Sequence, residues 1–408
     1  MHDPFSYNLL RTLYDDSKKS IEIPDHNVTI HHEAFNSMND DVLPGRTNYY
    51  CGRHDVSFGE SYVSDNENIP GHPSLDAPDC SFECNRRFWY PIFKPSRSAK
   101  ADGLILLLHG LNEKSWDKYL PWALTLAEST NKAVVLFPIA FHMNRAPAAW
   151  SDPREMKSIS EKRKRQFTAI AHSSFVNAAI STRLHRTPQR FFWSGLQTYH
   201  DLIQLMHQIR RDEHPHIHAN ATADLFGYSI GAFLTELVLM NDPDGLFSES
   251  RLFMLCGGPT LDRMYPVSRY ILDSAASVTI YSFFMEHLDN EMKRDERLGH
   301  YFSELHPSGL YFRSMLSNPR LKRMREERMK DLSPRIRAVA LVKDDVIPPA
   351  EVLNTLNGDY RNIPVKVDVM DFAHDYTHVD PFPNHAQTAR SVQNSFSKIF
   401  NLASTHLS

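Results

Sequence analysis

The chain has 408 residues, of which 41% are hydrophobic and 23% charged, so it is long enough to form one large domain with a sizeable core. Its formal net charge of −4 at pH 7 argues against general nucleic-acid binding, which needs a basic face. No apolar run is long enough to span a bilayer, so no membrane span is predicted.

Cysteine usage and the first residues favour a cytoplasmic location. Four cysteines are too few for a disulfide framework in a chain of this length. The N-terminus lacks the basic segment followed by an apolar stretch that marks a secretory signal. Cys80 and Cys84 are metal ligands in principle, together with His54 or His72. Their spacing is loose and no second cysteine pair exists, so neither a metal nor another cofactor is predicted.

The N-terminal region differs from the rest of the chain in composition and in hydrophobic periodicity. Residues 1–87 are rich in His, Asn and Asp and lack sustained periodicity, which predicts an irregular arm packed on the core, with a short strand or two. Residues 88–408 are predicted to form the main domain. At its start, residues 88–93 contain Pro91 and are typical of an edge strand, because proline cannot donate to a central ladder.

From about residue 103 onward, short apolar runs alternate with stretches of helical spacing. Apolar runs without internal alternation predict strands buried on both faces, and apolar residues at i, i+3 and i+4 predict helices. The predicted strands are 103–108, 133–137, 222–226, 251–256, 337–342 and 365–370, and the predicted helices include 118–130, 196–209, 230–240 and 389–399. This alternation predicts an α/β fold, a mostly parallel sheet flanked by helices.

Two stretches interrupt the alternation of strands and helices. They are residues 146–195 and residues 260–335, and both carry mainly helical patterns. Each follows a predicted strand, where an insertion would cover the C-terminal rim of the sheet. We therefore expect two mainly helical lid insertions.

A candidate nucleophile lies between a predicted strand and a predicted helix. The pentad Gly227-Tyr228-Ser229-Ile230-Gly231 would place Ser229 on a sharp turn with its hydroxyl exposed. A side chain in place of Gly227 or Gly231 would crowd the chain beside the serine. Because such pentads also arise by chance, the assignment depends on partner residues elsewhere.

Backbone donors for an oxyanion are expected at two positions. Leu108-His109-Gly110-Leu111 follows the strand at 103–108, and Gly110 would let the chain turn so that the Leu111 N–H points at the site. The Ile230 N–H, at the start of the helix after Ser229, would be the second donor. His109 is interpreted as a buried histidine that braces this loop.

An acid and a base are expected at the ends of two later strands. Asp344 and Asp345 follow the strand at 337–342, and either carboxylate would orient a histidine. His374 and His378 follow the last strand, and one of them would be the base. His378 is favoured because it lies farther along the loop, and the other histidine would then be a packing residue.

The order serine, acid, histidine over residues 88–408 resembles the α/β-hydrolase superfamily of serine hydrolases. The usual acid motif there, an aspartate four residues before a proline, matches Asp344 and Pro348 and therefore favours Asp344. The segments 109–116 and 137–145 are similar to a bacterial family of uncharacterised function within the superfamily, which implies no substrate. The chain departs from the common pattern in lacking a Gly-x-His before its final helix and a glycine-rich oxyanion segment.

The resemblance implies a hydrolase of an ester or similar acyl bond in a small-molecule substrate, acting through an acyl-serine. Candidate substrate contacts are His142, Arg145 and Tyr228, although Arg145 is equally interpreted as a residue that ties down the first lid. The same triad would also serve an amidase, a peptidase or an acyltransferase. A catalytically silent ligand-binding protein on this fold is the remaining hypothesis. The oligomeric state is left open.

Overall fold

The structure is a computed structural model that describes residues 4–60 and 72–408. The strands are β1 (Ser20–Glu22), β2 (Val28–Asn36), β3 (Tyr49–Cys51), β4 (Val56–Phe58), β5 (Arg87–Pro95), β6 (Ala101–Leu108), β7 (Ala133–Leu136), β8 (Ile217–Tyr228), β9 (Leu252–Leu255), β10 (Ile336–Leu341) and β11 (Lys366–Met370). The helices are α1 (Pro4–Leu13), α2 (Pro73–Asp76), α3 (Glu83–Arg86), α4 (Leu120–Thr130), α5 (Pro153–Gln166), α6 (Ala178–Arg186), α7 (Arg190–Arg210), α8 (Ile230–Asn241), α9 (Ser274–Tyr281), α10 (Leu288–Arg294), α11 (Glu296–Tyr301), α12 (Pro307–Leu316), α13 (Lys322–Leu332), α14 (Pro349–Leu356) and α15 (Ala389–Leu407).

Nine strands form one sheet in the order β1-β2-β5-β7-β6-β8-β9-β10-β11. Neighbouring strands from β7 to β11 are all parallel, whereas β1, β2 and β5 pair antiparallel at the other end. The predicted parallel strands and the helices between them are confirmed. In the described part of the chain, β3 and β4 form a separate hairpin.

Helices cover both faces of the sheet, which explains why its strands are apolar without alternation. In β6, Leu104, Leu106 and Leu108 point into a core shared with α7 and α8. Ile105 and Leu107 point to the opposite face, where α4 and α15 cover them. Because successive side chains of a strand face opposite sides, both sets must be apolar when both faces are buried.

The N-terminal arm is more regular than predicted. β2 pairs with β5 over nine residues, from Val28 opposite Pro95 to Asn36 opposite Arg87, so the sheet begins within residues 1–87. Because residues 31–33 are polar, the hydrophobic pattern of this segment did not indicate a strand. A short strand or two were predicted in this arm, and β1 and β2 are such strands, but the length of β2 and its place in the main sheet were not predicted.

The strand around Pro91 was predicted to lie at an edge, and this is also wrong. β5 lies between β2 and β7 inside the sheet. Its ladder to β7 consists only of Ile92 and Phe93, so the missing N–H of Pro91 falls outside that ladder. A short ladder thus accommodates a proline inside the sheet.

Both stretches that interrupt the alternation are mainly helical. Residues 146–195 contain α5, α6 and the start of α7, and residues 260–335 contain α9 to α13. A π-helical segment, Ser282–His287, joins α9 to α10. Within the described residues, no helix has the length and apolar character to cross a membrane.

Candidate active site

Ser229 occupies a one-residue turn between a strand and a helix. β8 ends at Tyr228, α8 begins at Ile230, and Ser229 between them has φ 56° and ψ −122°. A non-glycine residue in this region carries strain of about 1–3 kcal/mol, which the packing around it must offset. The backbone thus holds the serine in the conformation of a nucleophile elbow.

The glycines of the pentad are required by close approach of the backbone. A Cβ at Gly227 would overlap the backbone of Ala232, and a Cβ at Gly231 would overlap the carbonyl oxygen of Leu108. Neither obstacle is the flexible end of a side chain. The two glycines therefore let α8 pack tightly against β6 and β8.

We expect Gly231→Ala to lower the free energy of unfolding by about 1–3 kcal/mol, because the new methyl group must displace the end of β6. Urea denaturation measures this change. Gly195→Ala in α7 is the matched control, since its Cβ would meet only Phe312 at 3.9 Å. That control should be neutral or stabilising, because alanine is the better helix former. An equal loss of unfolding free energy in both variants would contradict the proposed crowding between residue 231 and the end of β6.

Ser229, His378 and Asp344 lie in hydrogen-bond contact. Ser229 Oγ is 2.7 Å from His378 Nε2, and His378 Nδ1 is 2.8 Å from Asp344 Oδ2. The side chains are buried, with residue exposures of 6%, 3% and 4%. Because Nδ1–H donates to the carboxylate, Nε2 is unprotonated and accepts a hydrogen bond from the Ser229 hydroxyl.

The alternative acid and base lie elsewhere. Asp344 accepts the N–H groups of Val346 and Ile347, which fixes its carboxylate, whereas Asp345 is exposed. His374 is buried, and its Nε2–H donates to the Pro381 carbonyl oxygen at 3.0 Å. The structure brings neither Asp345 nor His374 into contact with Ser229.

The loop that holds Leu111 is braced by His109. His109 Nε2 accepts the Ile139 N–H at 2.9 Å, so Nδ1 carries the proton and donates to the Gly110 carbonyl oxygen. Burial, with His142 nearby, lowers the pKa of His109 well below its ordinary value. The interpretation of His109 as a buried histidine that braces this loop is confirmed.

Leu111, Ile230 and Ser229 line one small cavity. Within the described residues, neither the Leu111 N–H nor the Ile230 N–H has an acceptor. The cavity has a volume of about 60 Å³. It is lined by Leu111, Phe191, Ser229, Ile230, Leu261, Met264, Pro266, Ile271, Leu272, Ser277, Ile280, Tyr281, Met285, Val346 and Ile347. None of these lining residues is charged, so the serine hydroxyl faces an apolar space.

The sheet order, the turn at Ser229 and the chain order of the three side chains are those of the α/β-hydrolase superfamily. All of residues 1–408 match the model of DUF6051, described as a family of unknown function. The chain belongs to DUF6051. A comparison with curated proteins finds no match.

Solved structures similar to this DUF6051 chain include several esterases. A bacterial heroin esterase is 11% identical, with a TM-score of 0.45, over 99% of this chain and 90% of its own. A thermostable esterase from Pseudomonas putida ECU1011 is 10% identical, with a TM-score of 0.45, over 79% and 80%. An esterase from Pyrobaculum calidifontis is 13% identical, with a TM-score of 0.39, over 78% and 81%. The sheet order and the turn at Ser229 establish the fold independently of these similarities.

Tyr228 was a candidate substrate contact, but in this DUF6051 chain it positions His378 instead. It is 1% exposed, and its hydroxyl donates to the His378 carbonyl oxygen. Its ring stacks on the imidazole, with 5.7 Å between the ring centres and 16° between the planes. No surface of the ring is left for a substrate, and this prediction is wrong.

We expect Tyr228→Phe to lower kcat for ester hydrolysis about tenfold with little change in KM. The variant leaves a buried carbonyl without its donor and loosens the imidazole, at a cost of about 1–3 kcal/mol. Steady-state kinetics separates kcat from KM. Tyr199→Phe removes another buried tyrosine hydroxyl, one that contacts Asn241, and serves as the control. A raised KM with unchanged kcat would instead indicate substrate contact.

Hydrogen bonds join the loop around Leu111 to the loop around His378, through residues that the sequence did not single out. Lys118 donates to the Glu113 carboxylate and, at 3.0 Å, to the carbonyl oxygen of Val379, next to His378. Tyr119 also contacts Glu113, and its hydroxyl accepts the Gly110 N–H at 2.9 Å. The only sequence signal was the charged pair Glu113-Lys114 and the nearby Lys118 directly after the oxyanion loop.

Arg145 was a candidate substrate contact and is also reassigned. Its guanidinium is fully buried and donates to the Asp201 carboxylate at 2.8 Å and to Asn85 at 3.1 Å. It therefore ties the segment after β7 to α7 and to α3, rather than binding a substrate. The alternative role, tying down the first lid, stays a prediction, since Asp201 lies on α7, which begins inside residues 146–195.

His142 remains near the site, as a neutral group. Burial lowers its pKa to about 4, and its Nδ1–H donates to the Ala140 carbonyl oxygen at 2.9 Å. Among the described residues, its Nε2 has no hydrogen-bond partner. His142 lines a cavity of about 70 Å³ that shares Leu111 and Phe191 with the serine cavity. A neutral Nε2 there would accept a hydrogen bond and would not attract an anion.

Proposed function

We propose that this protein is a serine hydrolase that cleaves an ester through an acyl-serine intermediate. The observation that carries the proposal is the chain of contacts from Ser229 Oγ through His378 to the Asp344 carboxylate. Its location at a strained turn beside two N–H groups without acceptors fits acyl transfer.

The proposed reaction begins with proton transfer. His378 Nε2 removes the Ser229 proton as Oγ attacks the ester carbonyl carbon, and Asp344 stabilises the imidazolium. The Leu111 and Ile230 N–H groups receive the developing oxyanion. The C–O bond to the alcohol then breaks, and His378 protonates the leaving oxygen. Water attacks the acyl-serine by the same steps, which releases the acid and restores the hydroxyl.

The lining of the serine cavity favours an uncharged, apolar acyl group. Ile271, Leu272 and Ile280 contribute to its apolar wall and come from residues 260–335. We therefore infer that this stretch acts as a lid and limits acyl length. Because a charged acyl group would lose its hydration without a partner here, we exclude it from the proposal.

A panel of p-nitrophenyl esters tests this proposal. We expect hydrolysis of the acetate and butyrate to exceed that of the octanoate at least tenfold, and that of butyryl p-nitroanilide to be far slower. Ser229→Ala should abolish turnover. Ser404→Ala, a buried serine on α15, should retain it. Equal rates in wild type and Ser229→Ala would contradict the proposal, and faster anilide hydrolysis would indicate an amidase.

A further inference from the structure

A second group of reactive side chains lies outside the candidate active site. Cys51, His54, His300 and His306 each offer one metal-ligand atom, and these four atoms all lie within 4.8 Å of one another. We call them the Cys51 cluster. Its members come from two distant segments, the β3–β4 hairpin and the stretch from the end of α11 to the start of α12.

The distances within the Cys51 cluster match those between the ligands of one metal ion. Cys51 Sγ is 3.5 Å from His54 Nδ1 and 3.5 Å from His306 Nε2. His306 Nε2 is 3.0 Å from His300 Nε2. Around a tetrahedral zinc ion, with Zn–S of about 2.3 Å and Zn–N of about 2.05 Å, sulfur and nitrogen ligands lie about 3.5 Å apart and two nitrogens about 3.3 Å apart.

Hydrogen bonding alone accounts poorly for this arrangement. Buried histidines ordinarily pair with a carboxylate or a carbonyl oxygen, but in residues 4–60 and 72–408 no carboxylate contacts these three imidazoles. Instead, His306 Nε2 faces both a nitrogen and a sulfur. His306 is 5% exposed and Cys51 is 4% exposed, and both line a cavity of about 440 Å³ through which an ion could reach them. Four ligand atoms within 4.8 Å of one another, with no carboxylate or carbonyl oxygen of the described residues as partner, fit a metal site.

The surrounding chain fixes the ligands. Cys51 ends β3 and His54 lies in the following turn, where its N–H donates to the Cys51 carbonyl oxygen at 3.2 Å. His306 precedes α12, and its ring stacks on Tyr301 with 4.4 Å between the ring centres.

We propose that the Cys51 cluster binds one zinc ion, the cysteine as a thiolate and the histidines as neutral imidazoles. Four protein ligands that leave no open position give the closed coordination of a structural zinc site. Binding releases the thiol proton. The ion would fasten the hairpin, which as an isolated pair of strands is marginal, to helices α11 and α12. This role is separate from ester hydrolysis and does not depend on it.

This site differs from the one considered from the sequence. Cys80 and Cys84 are not members of the Cys51 cluster, and Cys84 Sγ instead contacts the Arg145 carbonyl oxygen at 3.5 Å. His54 was considered, but with the wrong cysteines. Cys51 lies three residues before His54, but the two histidine partners lie about 250 residues away in the chain, a separation that no local spacing reveals.

Zinc content of the full-length protein tests this proposal. Metal-free protein is mixed with equimolar Zn²⁺, desalted and measured by mass spectrometry of the metal. We expect about one zinc per chain in the wild type and at least a tenfold loss in Cys51→Ser and in His306→Ala. Cys80→Ser and His218→Ala, a histidine with a half-exposed side chain, are matched controls and should retain zinc. A wild type that retains less than a tenth of an equivalent overturns the proposal, as does full retention in both cluster variants.

A cobalt spectrum of the wild type keeps the test decisive if a variant fails to fold. Co²⁺ in the same ligands should give a thiolate-to-cobalt charge-transfer band and the intense visible bands of tetrahedral cobalt. One equivalent of Zn²⁺ should abolish both. Cobalt that binds without the charge-transfer band, or that zinc does not displace, overturns the proposal.

Discussion

Replacing His378 with alanine is expected to lower kcat for ester hydrolysis by about 10⁶-fold, close to complete loss. Its Nε2 lies 2.7 Å from Ser229 Oγ and is the only base in contact with that hydroxyl among the described residues. Without this nitrogen the serine must lose its proton to water, so the hydroxyl is a poor nucleophile. The measurement is kcat with saturating p-nitrophenyl butyrate, after circular dichroism has confirmed folding.

His374→Ala is the matched control for this loss. It removes a buried histidine from the same loop, but one that donates to the Pro381 carbonyl oxygen and does not contact the serine. We expect its kcat to stay within about tenfold of wild type per folded molecule. Loss of activity in His374→Ala with retention in His378→Ala would reverse the assignment of the base.

Asp344→Asn is expected to lower kcat by about 10⁴-fold with little change in KM. An asparagine that keeps its N–H bonds from Val346 and Ile347 would present its NH₂ group to His378. The imidazole would then carry its proton on Nε2, the nitrogen that must accept the serine proton. The substitution therefore changes the tautomer of His378 and not the shape of the site. Steady-state kinetics and thermal unfolding together distinguish this effect from destabilisation.

Asp345→Asn is its control, since it makes the same chemical change one residue away on an exposed side chain. We expect kcat to stay within about twofold of wild type. A large loss in Asp345→Asn, with little effect in Asp344→Asn, would contradict the proposed acid.

Much of the sheet and the positions of the site segments could be predicted because burial leaves a strong pattern. Most of β6 and all of β7 are apolar on both faces, and these runs have the length of a strand and are too short for an ordinary buried helix. Ser229 could be identified because Gly227 and Gly231 lie close to it in the sequence. The close approach of α8 to the neighbouring backbone leaves no room for a side chain at either position. The residues that follow the predicted strands 337–342 and 365–370 then indicated the candidate acid and base.

The choice between neighbouring residues depended on tertiary contacts. Asp344 and Asp345 are adjacent in sequence, but only the first turns inward, where two backbone N–H groups hold it. Tyr228 and Arg145 were misassigned for a related reason. Both residue types often bind substrates, and sequence does not show that a carbonyl oxygen or a buried aspartate already occupies them.

Labelling with a fluorophosphonate probe tests the central claim most directly, because the probe phosphonylates an activated serine and needs no knowledge of the substrate. We predict one covalent adduct on the wild-type chain, mapped to Ser229 by peptide mass spectrometry. Ser229→Ala should not be labelled, and His378→Ala should be labelled far more slowly. An adduct on another residue, or labelling of Ser229→Ala equal to that of the wild type, would contradict Ser229 as the nucleophile.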